Sequence, residues 1–309
     1  MPLESISALV RGHAADLGGG FSVLRVLPQA ALRSVGPFVF VDHMGPVDFA
    51  AGRGIDVRPH PHIGLATVTW LFDGSLVHRD SLGSVQSIAP GDVNWMVAGR
   101  GIVHSERTAP GVRAQPHRLH GIQTWVALPA SHEDDAPRFA HHPAATLPRI
   151  ERDGARIVMI AGHAFGARSP VAVRSPTLYC ELRLAAGGRF AFDAEHEQRA
   201  VYVADGVVDV DGQQAERGTL ALLEPGVAVT LAADAPALLM LLGGAPLGHR
   251  HMFWNFVASS RERIDAARAD WDAHGDPARW QDARPDSNFP PVPGEHEFIP
   301  LPRRTAAAS

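Results

Sequence analysis

Two short segments hold the side chains best suited to chemistry. The stretch "RPHPHIGLATVTW" (58–70) sets His60 and His62 two residues apart with a proline between them. The stretch "AGRGIVHSE" (98–106) sets His104 and Glu106 at the same spacing. In a β-strand successive side chains alternate faces, so residues i and i+2 point the same way. Each segment, read as a strand, presents a pair of metal-capable groups to one side, and Pro61 suits a strand edge or strand start. Two such strands in one small barrel can converge four ligands on one ion, and Gly99 and Gly101 allow a tight backbone approach before the second pair. Three imidazole nitrogens and one carboxylate oxygen suit Fe(II), Mn(II), Ni(II), Cu(II) or Zn(II), and such mixed sets serve non-haem iron with open positions. No thiolate stands near either pair, which excludes a closed cysteine-type zinc site. The competing reading is two unrelated histidines in a chain with seventeen of them; the second pair, behind its own glycine turn, weighs against it.

The elements that must position these residues read as short strands cut by turns, from residue 20 to 245. "ATVTWLF" runs into Asp73-Gly74, a strong hairpin signal. "SLVHRDS", "SVQSI", "VNWMV" and "IVHSE" follow, separated by Pro90-Gly91-Asp92 and Gly99-Arg100-Gly101, and "LHGIQTWVALP" closes the set. Such punctuation predicts an antiparallel sandwich or barrel, not βαβ units. After a connector, "ASHEDDAPRFAHHPAATLPRI", the same rhythm resumes from "RIVMIAG" to "ALLMLLGG". The expected architecture is all-β, with two tandem sandwich or barrel domains over 1–135 and 136–309. A short helix is expected near the end, with serine of Ser259-Ser260-Arg261-Glu262 as N-cap three residues before Glu262, and with Ile264, Ala267 and Trp271 on one face. The Pro-rich "RPDSNFPPVPGEHEFIPLP" beyond it reads as an extended tail over the surface.

Composition bounds the function. In 309 residues, 45% apolar and 20% charged, there is material for real cores. A formal net charge of −5 and no Lys/Arg stripe argue against direct nucleic-acid contact; the nearest approach to a cluster is Arg303-Arg304. The opening "MPLESISALVRGHAADLGGG" lacks the basic and apolar regions of a signal peptide, and "ALLMLLGGAPLG" is too short to cross a bilayer. No membrane association and a cytoplasmic location are expected, and a single cysteine is compatible with a reducing compartment.

The stretches "RPHPHIGLATVTWLFDG" and "GDVNWMVAGRGIVHSE" together resemble the pirin family of the cupin superfamily. "FVFVDHMGP" (38–46), "HGIQTWVALP" (120–129) and "LLGGAPLG" (241–248) echo it, and "WNFVASSRERIDAARADW" with "GEHEFIPLP" resembles a bacterial branch. The resemblance covers nearly the whole chain. It implies two cupin domains, the first binding one divalent metal ion, usually Fe(II), at His60, His62, His104 and Glu106, with Mn, Ni, Cu or Zn as alternatives. Many cupins carry a glutamate shortly after the H-x-H, where this chain has Ala66, so the fourth ligand falls to Glu106. The second module keeps only His196 near the expected place, which implies a structural role. The implied activity is that of a quercetin 2,3-dioxygenase, opening a flavonol-like aromatic substrate with O2 and releasing CO, with Glu106 as general base. The family also implies an alternative, a non-enzymatic iron-dependent regulator acting through a protein partner. A third reading is a cupin enzyme for another small oxygenated substrate.

The other candidates read more plainly. His117 and His120 are expected at the surface, with a supporting role behind a metal ligand as the alternative, and His141 and His142 in solvent. His78 and Asp80 lie at i and i+2, facing either the metal or the outside. Asp42 and His43 read as turn residues, with a carboxylate orienting an imidazole as the alternative. Trp70, Trp95 and Trp125 are expected in the core, and Cys180 buried and inert.

Overall fold

The computed structural model describes residues 5–16, 21–276, 280, 282 and 284–302, so Arg303-Arg304 lies outside the described residues. Among the described residues every sheet is antiparallel, and four of the five form two sandwiches, as the turn-punctuated sequence leads one to expect; the fifth is the hairpin of His251–Phe253 and Phe256–Ala258. The first combines a seven-stranded sheet with a four-stranded one whose order is Asp56–His62, Ile102–Arg107, Leu76–Asp80, Val85–Ile88. The second combines an eight-stranded sheet with another of four. The longest helix among the described residues is Arg261–Asp272, and no helix there is long and apolar enough to cross a membrane.

The two large sheets pack on one another through a shared core. Strand Leu65–Asp73 shows how the alternation builds it: Ala66, Val68 and Trp70 turn outward from the first sandwich. There they meet Tyr179, Ala200, Tyr202, Met240 and Leu242 of the second. Leu65, Thr67, Thr69 and Leu71, on the opposite face, turn into the first sandwich. Two buried polar contacts cross the joint: Trp70 Nε1 donates to Glu181 at 2.8 Å, and His43 Nδ1 lies 2.7 Å from the Tyr202 hydroxyl. The second sandwich has its own apolar core around Phe190, Phe192, Leu182 and Leu231.

Two segments pair across the expected division at 135/136. Strand Ile6–Arg11 joins Thr219–Leu223 in the second sandwich, and Arg138–His142, within the expected connector, joins Val93–Val97 in the first.

The helix begins one residue later than the capping box suggests. Ser260 is the N-cap and accepts from the Arg263 amide at 3.4 Å. Ser259 is engaged elsewhere, its amide and hydroxyl donating to Glu133 at 2.7 and 2.8 Å. Ile264, Ala267 and Trp271 are buried as expected, but against the tail as well as the sheet. Phe289, Val292 and Phe298 of that tail insert beside Trp271 and Trp280, together with Ile63 and Val103. The Ile299 amide donates to the Pro59 carbonyl at 2.8 Å, and Glu295 accepts from Ser105 Oγ at 2.8 Å and Arg107 Nη2 at 2.7 Å. The tail is thus more than surface wrapping. Helix and tail together back the strands that carry the paired histidines.

Candidate metal centre

Strands Asp56–His62 and Ile102–Arg107 pair with His104 opposite His60 and Ile102 opposite His62. The first is an edge strand, which lets it hold Pro59 and Pro61, residues with no N–H to give a ladder. The register slips between His104 and Glu106, so that Glu106 stands opposite Val57. On its other side the glutamate strand pairs with Leu76–Asp80, setting His104 opposite Asp80 and Glu106 opposite His78.

This register brings His60, His62 and His104 together. Their ligand nitrogens all lie within 4.8 Å of one another, with His62 Nε2 only 3.1 Å from His104 Nε2. His60 Nδ1 donates to the Arg58 carbonyl at 2.9 Å, and His62 Nδ1 to the Asn255 carbonyl at 3.1 Å. A carbonyl can only accept, so in both neutral rings Nδ1 carries the proton and Nε2 is a bare lone pair. Burial holds His60 below its usual value, with the Arg58 carbonyl and the Glu106 charge opposing. Burial, then neighbouring imidazoles, holds His62 and His104 well below theirs. The rings are therefore neutral near pH 7, the state a metal requires. Converging bare nitrogens repel one another unless a cation lies between them, so the donor set fits a metal.

Glu106 is buried beside this group. Its Oε1 accepts from Thr69 Oγ1 at 3.1 Å and its Oε2 from Gln123 Nε2 at 2.6 Å. Among the described residues, the cluster with mutually close ligand atoms is the three histidines; Glu106 flanks it with both oxygens hydrogen-bonded.

The site opens on a cavity of about 350 Å³ lined in part by His60, Glu106, Gln123 and Trp125, within the ordinary range for small-molecule sites. Trp125 stacks on Phe40 at 3.9 Å, with planes 11° apart, and meets His62 in a T-shaped contact at 5.2 Å. Arg25 lies over Phe40 and clamps Asp42 through two bonds of 2.9 and 2.8 Å. Burial raises the Asp42 carboxyl, with Arg25 opposing. The arrangement is a flat aromatic wall with polar groups beside a three-imidazole pocket.

Several sequence expectations change here. Asp42 and His43 are not turn residues; both lie buried within strand Phe38–Phe49, Asp42 toward the cavity and His43 toward the second sandwich. His120 is a partner of His43, with Nε2 atoms 2.8 Å apart, rather than a plain surface residue. His117 is partly exposed and stacks on Phe49, and His141 is partly buried beside Asn94. Trp70 and Trp95 are core residues, but Trp125 also lines the cavity. Ala66 faces the shared core, so a carboxylate there would point away from the histidines. His78 and Asp80 face inward, next to His104. Cys180 is buried as expected, and burial pushes its thiol up. In the second sandwich, His196 Nε2 donates to the His163 carbonyl at 2.8 Å, and the buried Arg199 guanidinium is held by backbone carbonyls. Gln123 and Thr69 belong to no sequence motif, although each is a polar residue at an inward position of a strand. Asn255 left no local signal.

Two family models match the chain: Pirin over residues 20–126 and the Pirin C-terminal cupin domain over 179–275. A pirin-like protein of Caulobacter vibrioides is 50% identical over 258 residues, 82% of this chain and 89% of the relative. A Pseudomonas aeruginosa protein named provisionally as a quercetin 2,3-dioxygenase is 39% identical over 272 residues, 87% of this chain and 84% of the relative. The crystal structure of a quercetin 2,3-dioxygenase from Acinetobacter baumannii superposes with a TM-score of 0.86 at 32% identity, covering 96% of this chain and 95% of that one.

Proposed function

The chain belongs to the pirin family and is built of two cupin domains; from that premise we propose that it is an Fe(II)-dependent dioxygenase of the quercetin 2,3-dioxygenase type. The observation that carries this reading is the convergence of three neutral imidazoles beside an aromatic-walled cavity. His60, His62 and His104 would hold the ion, with Glu106 as the fourth ligand. Iron held there would supply a Lewis acid for the flavonol oxygens. The chain's own residues do the rest. Glu106 takes the proton of the flavonol 3-hydroxyl, and Gln123 and Thr69 hold its carboxylate in place to do so. Trp125, backed by Phe40, offers the substrate rings a flat face. The ring then opens across the bonds to the carbon lost as CO, both oxygen atoms of O2 remaining in the products. Residues 1–135 carry the metal, and 136–309 add strand Arg138–His142 to that sandwich and brace it from behind and through the helix and tail. A cytoplasmic location belongs to the same reading.

The test is to reconstitute the metal-free protein anaerobically with Fe(II), add a panel of flavonols, and follow O2 uptake and CO release beside Glu106→Gln. Turnover abolished in that variant supports the proposal. No flavonol turned over above the variant would overturn it and leave a non-enzymatic role through a protein partner. Metal content unchanged in both His60→Ala and His104→Ala would remove the metal centre itself.

A further inference from the structure

The three imidazoles are held by three different acceptors. His60 and His62 give their Nδ1 protons to main-chain carbonyls, but His104 faces a side chain, with its Nδ1 3.3 Å from His78 Nδ1. His78 in turn meets Asp80, its Nε2 lying 2.8 Å from Oδ2. The other carboxylate oxygen, Oδ1, accepts the amides of Leu82 at 2.9 Å and Ser84 at 3.0 Å. Asp80 has no exposed surface, and Phe139 stacks on the His78 ring at 4.3 Å with planes 13° apart.

We propose that His78 and Asp80 are positioning residues for the metal centre: they lock His104 in its Nδ1–H form, aim its bare Nε2 at the ion, and set how tightly the ion is held.

The chain of bonds admits one consistent arrangement of neutral rings. Asp80 accepts, so His78 Nε2 carries a proton and His78 Nδ1 is a lone pair. His104 Nδ1 must then donate, which leaves His104 Nε2 bare, like the Nε2 of His62 3.1 Å away. His78 is not itself a ligand of that ion, because it meets His104 at the ring edge opposite Nε2. A carboxylate behind an imidazole also raises the basicity of the ligand it supports, and losing such a partner typically weakens metal binding about 10–100-fold. The proposal rests on the metal centre described above. The plain alternative is that the His78–Asp80 pair only closes the turn through Ser84.

Two substitutions separate these. His78→Gln places an amide where Nε2 was, keeping a donor for Asp80 and losing the acceptor for His104. His78→Asn places an amide oxygen where Nδ1 was, keeping the acceptor and losing Asp80. Co(II) affinity is measured by chelator competition, and the state of each His104 nitrogen by ¹⁵N NMR of the metal-free protein, with His62 as internal reference. In His78→Gln, Co(II) affinity should fall about 10–100-fold and His104 should lose its pure Nδ1–H signature. His78→Asn should keep the Nδ1–H signature and lose less affinity than His78→Gln, because the acceptor survives although Asp80 no longer backs it, and Asp80→Asn should also lose affinity. The reverse order, with Gln tolerated and Asn damaging, would refute the proposal in favour of the turn-closing role. Equal Co(II) binding by wild type and both variants would refute it alone. Wild-type protein that takes up no Co(II) would refute the metal centre, and this proposal with it.

Discussion

Acid should loosen the joint between the two sandwiches, and His43 should account for one proton of that effect. Its ring is buried between the domains, with Nδ1 2.7 Å from the Tyr202 hydroxyl and Nε2 2.8 Å from His120 Nε2. Burial, then the charges of His120 and Arg217, lowers its pKa from 6.5 to about 3. The unfolded chain protonates His43 near 6.5 while the folded chain does not until about 3. Across that window the unfolded state binds more protons, so stability is complete above 6.5 and is lost as pH falls. One proton is worth about 1.4 kcal/mol per pH unit, so lowering the pH from about 6.5 to about 5 should cost roughly 2 kcal/mol through His43 alone. His120, lowered to about 4 mainly by burial, acts with the same sign, but it is partly exposed and its share is discounted for solvent screening. His60, His62 and His104 add to the slope in metal-free protein, so the measurement must be a difference. His43→Gln keeps a polar side chain that does not titrate. Urea unfolding of both metal-free proteins, from about pH 7.5 down to about 5, should give a variant curve shallower by about one proton. The variant should start less stable at the alkaline end and converge on wild type toward the acid end. Parallel curves would refute the reasoning, because His43 would then titrate alike folded and unfolded.

Gln123→Leu removes the 2.6 Å donor to Glu106; hydrogen bonds to charged groups are worth about 1.5–3 kcal/mol, so kcat for a flavonol should fall roughly 10- to 150-fold. Metal content should be unchanged, and a variant with wild-type kcat would show that the bond has no part in turnover. Trp125→Leu removes the face stacked on Phe40, which should weaken flavonol binding by about 0.5–1.5 kcal/mol beyond lost area in anaerobic calorimetry; undiminished affinity would put the substrate elsewhere. Glu295→Gln takes the charge from the carboxylate that Ser105 and Arg107 share. Limited proteolysis should then cut the tail sooner, and wild-type cleavage rates would show that Phe289, Val292 and Phe298 suffice to hold it. Cys180 should react with a thiol reagent only as the protein unfolds, because it is buried and its thiol is pushed up; labelling of the native protein would contradict its burial.

How far the site was legible in the sequence follows from how locally each part is specified. The candidate pairs are a period-two pattern inside single strands, so the convergence of His60, His62 and His104 could be read directly, with Glu106 beside them. The same counting fails for Ala66. Gly64, at φ +67°, turns the chain between strands Asp56–His62 and Leu65–Asp73, so the inward phase is not carried across it. A face counted from His62 therefore says nothing about residue 66, which packs toward the second sandwich. Asp42 and His43 are ambiguous for a related reason: polar residues ending an apolar run look like a turn until Arg25 and Tyr202 supply partners. The three acceptors that fix the imidazoles make the gradient explicit. Arg58 lies two residues from His60, His78 lies 26 from His104, and Asn255 lies 193 from His62. A motif can carry the first and hint at the second. The third exists only because strands His251–Phe253 and Phe256–Ala258 return over the first domain and bring the Asn255 carbonyl to His62. The candidate ligands are thus a property of two strands, while their shared orientation is a property of the whole fold.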